Sequence, residues 1–377
     1  MKAIIFGVTG QDGSYLSELL LEKGYKVLGV IRRASIDNTG RLRHLEQNDS
    51  FSLVEGDVTD FISVSSIIND FQPDEVYNLA AQSHVATSFN EPLHTWRVDA
   101  EGPLNILESV RRHSFKAKFY QASTSEMFGS SVDPDGYQRE STPFEPQSPY
   151  AIAKLASHHK VRIYREAYGM YACSGILFNH ESERRGEKFV SRKITKWVAE
   201  FRNWMASENK PFDAVSDPDN ILSVMNPEES FPKLRLGNLD AARDWGYAPD
   251  YVKAMWMMLQ QEQAEDYVIA TGTSRTVRDF VRIAFDFIGI KEWENLVVVD
   301  PKFYRPAEVE FLHGDANKAK SEIGWCVETP FNEMVKRMVE HDINQSCPKK
   351  PSESFAKHAS YSISYLDECS IALACAN

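Results

Sequence analysis

Tyr150 and Lys154 stand in a Y-x-x-x-K spacing, directly after Ser148-Pro149, a helix-starting pair. On a helix, the i,i+4 spacing puts both side chains on one face. There an ammonium lowers a phenol pKa from ~10 toward neutrality by favouring the phenolate. Such a phenolate can take a proton from a sugar hydroxyl while a hydride leaves the same carbon. With 15 Tyr in the chain, one such spacing is roughly what chance supplies, so its meaning depends on its surroundings. Upstream lies Ala122-Ser123-Thr124-Ser125-Glu126, whose hydroxyls are suited to hold the oxygen that Tyr150 deprotonates. Glu126 has two readings. As an acid–base group it would remove an acidic proton next to a carbonyl and protonate a departing hydroxyl, which loss of water requires and simple alcohol oxidation or epimerisation does not. As a structural residue it would cap the next turn.

The chemistry needs a hydride acceptor, and the N-terminus offers a place for one. Gly7-Val8-Thr9-Gly10-Gln11-Asp12-Gly13 has a G-x-x-G-x-x-G spacing between an apolar run and a helical pattern. Three glycines in seven residues make a turn; between a first strand and an amphipathic helix they make a dinucleotide site, with the pyrophosphate on the helix N-terminus. The next strand, Lys26–Ile31, runs into Arg32-Arg33, with no carboxylate at its tip to bind a ribose 2′-hydroxyl. Two guanidiniums suit a 2′-phosphate instead, so the expected cofactor is NADP. Asp57, in Gly56-Asp57-Val58, is placed to accept from the adenine amine.

These groups must be held by regular elements. Apolar runs at Lys2–Val8, Lys26–Ile31, Phe51–Val54, Glu75–Leu79, Lys118–Gln121 and Gly175–Phe178 alternate with helical patterns such as Ser14–Lys23, Val64–Phe71 and Asn105–Arg112. Strands alternating with helices make an α/β, doubly wound parallel sheet of Rossmann type, expected over 1–175. A smaller, mostly C-terminal α/β substrate domain is expected over 176–345, with segments returning to the first. Residues 203–233, rich in Pro, Asp, Glu and Asn, read as a loop or insertion, and 346–377 as a loosely held tail. Arg243 and Arg305 sit in short turn-like contexts, and Asn179–Gly186 carries two more arginines after a strand. Guanidinium forks suit a diphosphate, although each alone reads as a surface residue.

The net charge of -12 gives no general attraction to nucleic acid or an anionic membrane. Five scattered Cys without CxxC spacing indicate a reducing compartment and no zinc or other metal site. No apolar run approaches membrane-spanning length. The expectation is a soluble, cytoplasmic protein.

Longer segments then go beyond spacing. GVTGQDGSYL, RRASIDNTGRLRHL, GDVTD, EVYNLAAQSHVATSF, FYQASTSEMFG, SPYAIAKL, REAYGMYACSGILFNHESERRGEKFVSRKI, LGNLDAARDWG, VIATGTSRTVRDF and YRPAEVEFLHGD resemble, in order, the extended short-chain dehydrogenases/reductases, and among them the GDP-mannose 4,6-dehydratase family. The resemblance covers residues 1–340. It implies a lyase acting on GDP-mannose, with Tyr150 as base, Lys154 holding the phenolate and the nicotinamide ribose, Thr124 on the reacting oxygen, and Glu126 moving the C5 proton and the C6 hydroxyl. It implies that Gly7, Thr9, Gly10, Gln11, Asp12, Gly13, Arg32, Arg33, Asp57, Val58, Leu79, Ala80, Ala81, Gln82, Ser83, His180 and Arg185 line NADP, together with Tyr150 and Lys154. On the GDP-sugar side it implies Ser83, Ser125, Glu126, Asn179, Lys193, Arg243, Arg305 and Glu308. The RRASIDNTGR loop resembles a segment that packs subunits together, implying a homotetramer or at least a dimer. Three features depart from the pattern: residues 203–233 add a segment, Glu183 stands where proline is common, and the tail after Ser346 has no counterpart. The competing readings are a nucleotide-sugar 4-epimerase, a dehydratase of another nucleotide sugar, and a catalytically silent NADP-binding scaffold.

Overall fold

The structure is a computed structural model that describes residues 1–35, 37–207, 231–304, 307 and 309–346. Arg305, Glu308, most of the 203–233 segment and the tail from residue 347 lie outside the described residues.

β1 (Lys2–Phe6) is apolar after its first residue and buried there, as a strand covered on both faces must be. It feeds through the glycine loop into α1 (Gln11–Glu22) and β2 (Lys26–Ile31). β3 (Phe51–Glu55), α2 (Phe61–Phe71) and β4 (Glu75–Asn78) continue the alternation. Two short helices, α3 (Val85–Asn90) and α4 (Pro92–Trp96), lead through a π-helical turn at Arg97–Glu101 into α5 (Gly102–His113). β5 (Lys118–Thr124), α6 (Pro149–Tyr168) and β6 (Ala172–Leu177) complete the first half. The second half holds β7 (Asn179–Glu181), α7 (Val190–Ser207), β8 (Leu234–Leu236), β9 (Ala242–Tyr247), α8 (Ala248–Leu259), β10 (Tyr267–Ile269), β11 (Ser274–Thr276), α9 (Val277–Phe287), β12 (Val297–Val299), α10 (Asn317–Ile323) and α11 (Phe331–Ser346).

Among the described residues a seven-stranded sheet runs β10-β6-β5-β4-β1-β2-β3, every neighbouring pair parallel. The order reverses between β1 and β4, and a ligand crevice is expected at the carboxyl ends of strands there. One face of the sheet packs a core that includes Leu16, Leu20, Tyr251 and Met255, from α1 and α8. The other face packs Ile68, Ile106, Val110 and Val161, from α2, α5 and α6. A further core gathers Ile194, Phe201, Trp245, Phe280, Phe285 and Met338, from α7, β9, α9 and α11. Thus β10, although late in the chain, belongs to the sheet, and α8 and α10 pack on it, while α7, β9, α9 and α11 pack around that third core.

Three of the differences from the sequence reading bear on the site or the cores. α1 starts at Gln11 rather than Ser14, because Gly10 already serves as its N-cap. β5 runs on through Thr124, so Ala122 and Ser123 are strand residues paired with Gly175 and Ile176 of β6. α7 continues to Ser207, into the segment expected to be a loop, because Phe201 and Met205 keep an apolar face on the third core. Among the described residues no helix is long and apolar enough to cross a membrane.

Candidate active site

A cavity of about 1370 Å³ opens where the sheet order reverses. Gly7 leaves β1 with φ of 82°, and a Cβ on it would lie 2.6 Å from Ala80 N on the segment leaving β4. A Cβ on Gly13 would lie 2.5 Å from Gly7 O, so glycine lets α1 sit directly on the loop. α1 carries no side-chain cap, which leaves its N-terminus to an outside anion. These are the features a dinucleotide's pyrophosphate needs, and the cradle fits one. Gly7→Ala is expected to cost about 1–3 kcal/mol through strain and displaced backbone, and to abolish dinucleotide binding. A thermal melt and a binding titration check both.

The cavity is lined by Gly7, Thr9, Gly10, Gln11, Asp12, Gly13, Arg32, Asp57, Val58 and Leu79 through Ser83. Arg33 does not line it. Of the expected pair of guanidiniums, Arg32 borders the cavity, and both arginines are solvent-exposed. Arg41, from the same loop, reaches back instead: its Nε donates to Arg184 O (2.9 Å) and its Nη1 to Thr9 O (3.2 Å).

A charged pair ties the cradle to β7. His180 has Nε2 2.8 Å from Asp12 Oδ2 and Nδ1 2.7 Å from Phe178 O, so both ring nitrogens face acceptors. Burial alone would lower the His180 pKa, but the Asp12 carboxylate and its hydrogen bond outweigh this and raise it. Asp12 is correspondingly held below the usual carboxylate range, although burial opposes this.

The catalytic candidates come from β5 and α6. Ser148 Oγ accepts from Ala151 N (3.0 Å) and Pro149 opens the first turn, so α6 starts where it must to aim Tyr150 and Lys154 inward. Thr124 ends β5, and its Oγ1 accepts from Glu126 N (3.2 Å), fixing the short turn that carries Ser125 and Glu126. Thr124, Ser125, Glu126, Tyr150 and Lys154 are all buried and all line the cavity.

The lowered Tyr150 pKa expected from the spacing is not found in this state. Burial, then the Asp99 carboxylate, push the phenol above its ordinary value, and a hydrogen bond with Thr124 offsets this only in part. Lys154 Nζ donates to Ala122 O (2.6 Å) and stands 5.9 Å from the Tyr150 ring centroid.

Asn179, Arg185, Lys193 and Arg243 also line the cavity. Arg243 is not in a turn: it lies within β9, is buried, and its Nη1 donates to Ala242 O (2.9 Å). Lys193 Nζ sits 3.3 Å from the Phe303 ring centroid, an aromatic contact that the sequence reading did not assign. Arg185 pairs with Glu181 (3.1 Å) and lies over the Phe189 ring. Glu183 accepts from the Tyr247 hydroxyl (3.2 Å), while Arg184 pairs with Glu18 (2.7 Å).

The family model for GDP-mannose 4,6 dehydratase matches residues 4–210 and 219–338. The chain belongs to the GDP-mannose 4,6-dehydratase family. GDP-mannose 4,6 dehydratase 1 of Arabidopsis thaliana is 48% identical over 351 residues, covering 90% of this chain and 89% of that protein. The GDP-mannose 4,6 dehydratase of Homo sapiens is 45% identical over 365 residues, covering 90% and 91%. The fold is also that of the UDP-glucose 4-epimerase of Thermus thermophilus, with a TM-score of 0.74 at 22% identity over 92% of this chain and 100% of the other. Within the segment expected as an insertion, the dehydratase model itself continues to residue 210 and resumes at 219.

The residue missed on sequence grounds is Asp99. It sits in the π-helical turn before α5, 1% exposed, with Oδ1 accepting from Gln82 N (2.7 Å). Its neighbours, Val98-Asp99-Ala100, carry no periodic signal that could have found it.

Proposed function

We propose that the protein converts GDP-D-mannose to GDP-4-dehydro-6-deoxy-D-mannose and water, by an internal redox reaction with NADP as its dinucleotide. The observation that carries this reading is that Glu126, Thr124, Tyr150 and Lys154 share one cavity with the phosphate cradle, in a chain of the dehydratase family. When bound, the dinucleotide supplies the acceptor for hydride from C4 and the donor of the same hydride to C6, so none is consumed.

The chain's own groups do the rest. Tyr150 takes the C4 hydroxyl proton, with Thr124 holding the reacting oxygen. Lys154 supplies a positive charge beside the phenol as it ionises. Once C4 is a ketone, the C5 proton is acidic. Glu126 removes it and delivers a proton to the C6 hydroxyl, which departs as water. As the hydride returns to C6, C5 takes the proton that Tyr150 received from the C4 hydroxyl, so Tyr150 is reset; C4 has been oxidised and C6 reduced, and the net change is loss of water. The buried site keeps bulk water from the unsaturated intermediate. Asn179, Lys193 and Arg243, which line the cavity, would bind the GDP end in this reading, and the resemblance adds Arg305 and Glu308 to that role; the positive charges of Lys193, Arg243 and Arg305 match a diphosphate.

Arg32 is the specificity group for the 2′-phosphate. Arg32→Glu is expected to lower the preference for NADP over NAD by about tenfold to a hundredfold, the loss of about 1.5–3 kcal/mol of charge-assisted hydrogen bonding. Titrating both dinucleotides against the variant checks this. A loss that is equal for the two would remove Arg32 from that role.

The enzyme is cytoplasmic and a homotetramer in this reading. Support for the second point is the resemblance of the RRASIDNTGR segment to one that packs subunits together. Mass spectrometry of GDP-mannose incubated with the enzyme and catalytic NADP tests the reaction. A product lighter by one water, without net reduction of the dinucleotide, supports it; an isomer of unchanged mass supports an epimerase.

A further inference from the structure

Three residues of α6, Lys154, Ser157 and Lys160, recur every third position and so share one helix face. That face lies against the π-helical turn at Arg97–Glu101. Ser157 Oγ donates to Asp99 O, and Lys160 Nζ donates to Ala100 O (2.7 Å). A π turn carries an extra residue and upsets the regular carbonyl pattern, and these two side chains accept the consequence by binding the carbonyls it presents. The turn thereby holds Asp99 against the helix face that carries Lys154, one turn before Ser157 on α6. Oδ1 of that carboxyl is tethered to Gln82 N (2.7 Å), on the segment that lines the dinucleotide cavity. Oδ2 is buried and has no hydrogen-bond partner, an expensive arrangement for a carboxylate unless a charge nearby repays it.

We propose that Asp99 is a positioning residue whose carboxylate is the counter-charge of Lys154, keeping that buried amine protonated for its work beside Tyr150. This rests on the role given to Lys154 above. Lys154 is 3% exposed, and burial pulls its pKa down; Asp99 is the acid that pulls it back up. Burial pushes Asp99 up to about 7, against the Lys154 ammonium and the Gln82 N–H, which both lower it. The other titratable group facing the pair is Tyr150, on α6 itself. Through Tyr150 the pair also senses Glu126, from the turn after β5, and Arg185, from the segment before α7.

The sign of the pH effect follows. Lys154 loses its proton on the alkaline side, and without Asp99 it does so at lower pH. Asp99→Asn keeps an acceptor for Gln82 N and removes only the charge. It is expected to lower kcat at least about tenfold at the wild-type optimum and to move the alkaline limb of the kcat profile down by about one unit or more. A merely structural Asp99 would be rescued by Asn, with an unmoved limb.

Thermal melts of the full chain give a second readout that needs no activity. Lys154→Met alone strands the Asp99 carboxylate, so the Asp99→Asn, Lys154→Met double variant is expected to melt above Lys154→Met. An alkaline limb in the wild-type position would overturn the proposal. So would a double variant that melts no higher than Lys154→Met, and where Asp99→Asn is too slow to titrate, the melts decide. If Tyr150→Phe stays active, the catalytic reading fails, whereas the melts still report whether the buried pair exists.

Discussion

Glu126→Gln is expected to lower turnover by about 10²–10⁴-fold, the usual worth of a positioned acid–base group, with dinucleotide affinity unchanged. Glutamine has nearly the shape of glutamate, and the bond from Glu126 N to Thr124 Oγ1 is a backbone contact that the exchange leaves alone. The variant should therefore fold and bind. It should also stall at a particular place. Tyr150 and Thr124 still serve the C4 hydroxyl, so reduced nicotinamide is expected to accumulate, up to one equivalent per site, while no water is lost. Stopped-flow absorbance and mass spectrometry of the sugar nucleotide check the two halves. A variant that loses water at the wild-type rate would leave Glu126 as no more than a residue of the turn after β5.

Tyr150→Phe is expected to cost a similar factor, but with the opposite signature: no reduced nicotinamide forms, because the C4 hydroxyl keeps its proton. The removed hydroxyl is buried and hydrogen-bonded with Thr124, so the structural cost is about 1 kcal/mol, far less than is needed to unfold the domain. Melting temperature and NADP titration separate the two effects. Because Lys154 is turned to Ala122 O and the phenol stands above its ordinary pKa in this state, ionisation of Tyr150 must depend on the loaded site. The acid limb of the wild-type kcat profile is expected to vanish in any residual activity of the variant.

Much of this is legible in the sequence alone. The glycine loop, the alternation of strands and helices, and the Ser148-Pro149 start of α6 are local signals, and they put Tyr150, Lys154 and the phosphate cradle on the correct elements. What depends on long-range packing is less legible. Arg243 reads as a turn residue because its apolar neighbours are few, yet pairing of β9 with β7 and β11 makes it a buried strand residue. Arg32 lines the cavity and Arg33 does not, and nothing in a dipeptide says which of two neighbouring side chains borders a cavity. Residues 203–207 read as loop because their pattern is short, and they are helical because the third core needs Met205. Asp99 is invisible because its importance lies in a π turn, which has no period of its own to detect. The pKa of Tyr150 depends on where one ammonium points, which spacing alone cannot fix.

The central claim is that one hydride leaves C4 and comes back at C6 of the same sugar while water is lost. GDP-mannose carrying deuterium at C4, incubated with the enzyme and catalytic NADP, reports this directly by NMR of the product. The account predicts deuterium at C6 of a 4-keto sugar that has lost one water. Deuterium found again at C4 of a sugar of unchanged mass, or retained in accumulated reduced dinucleotide, would contradict it.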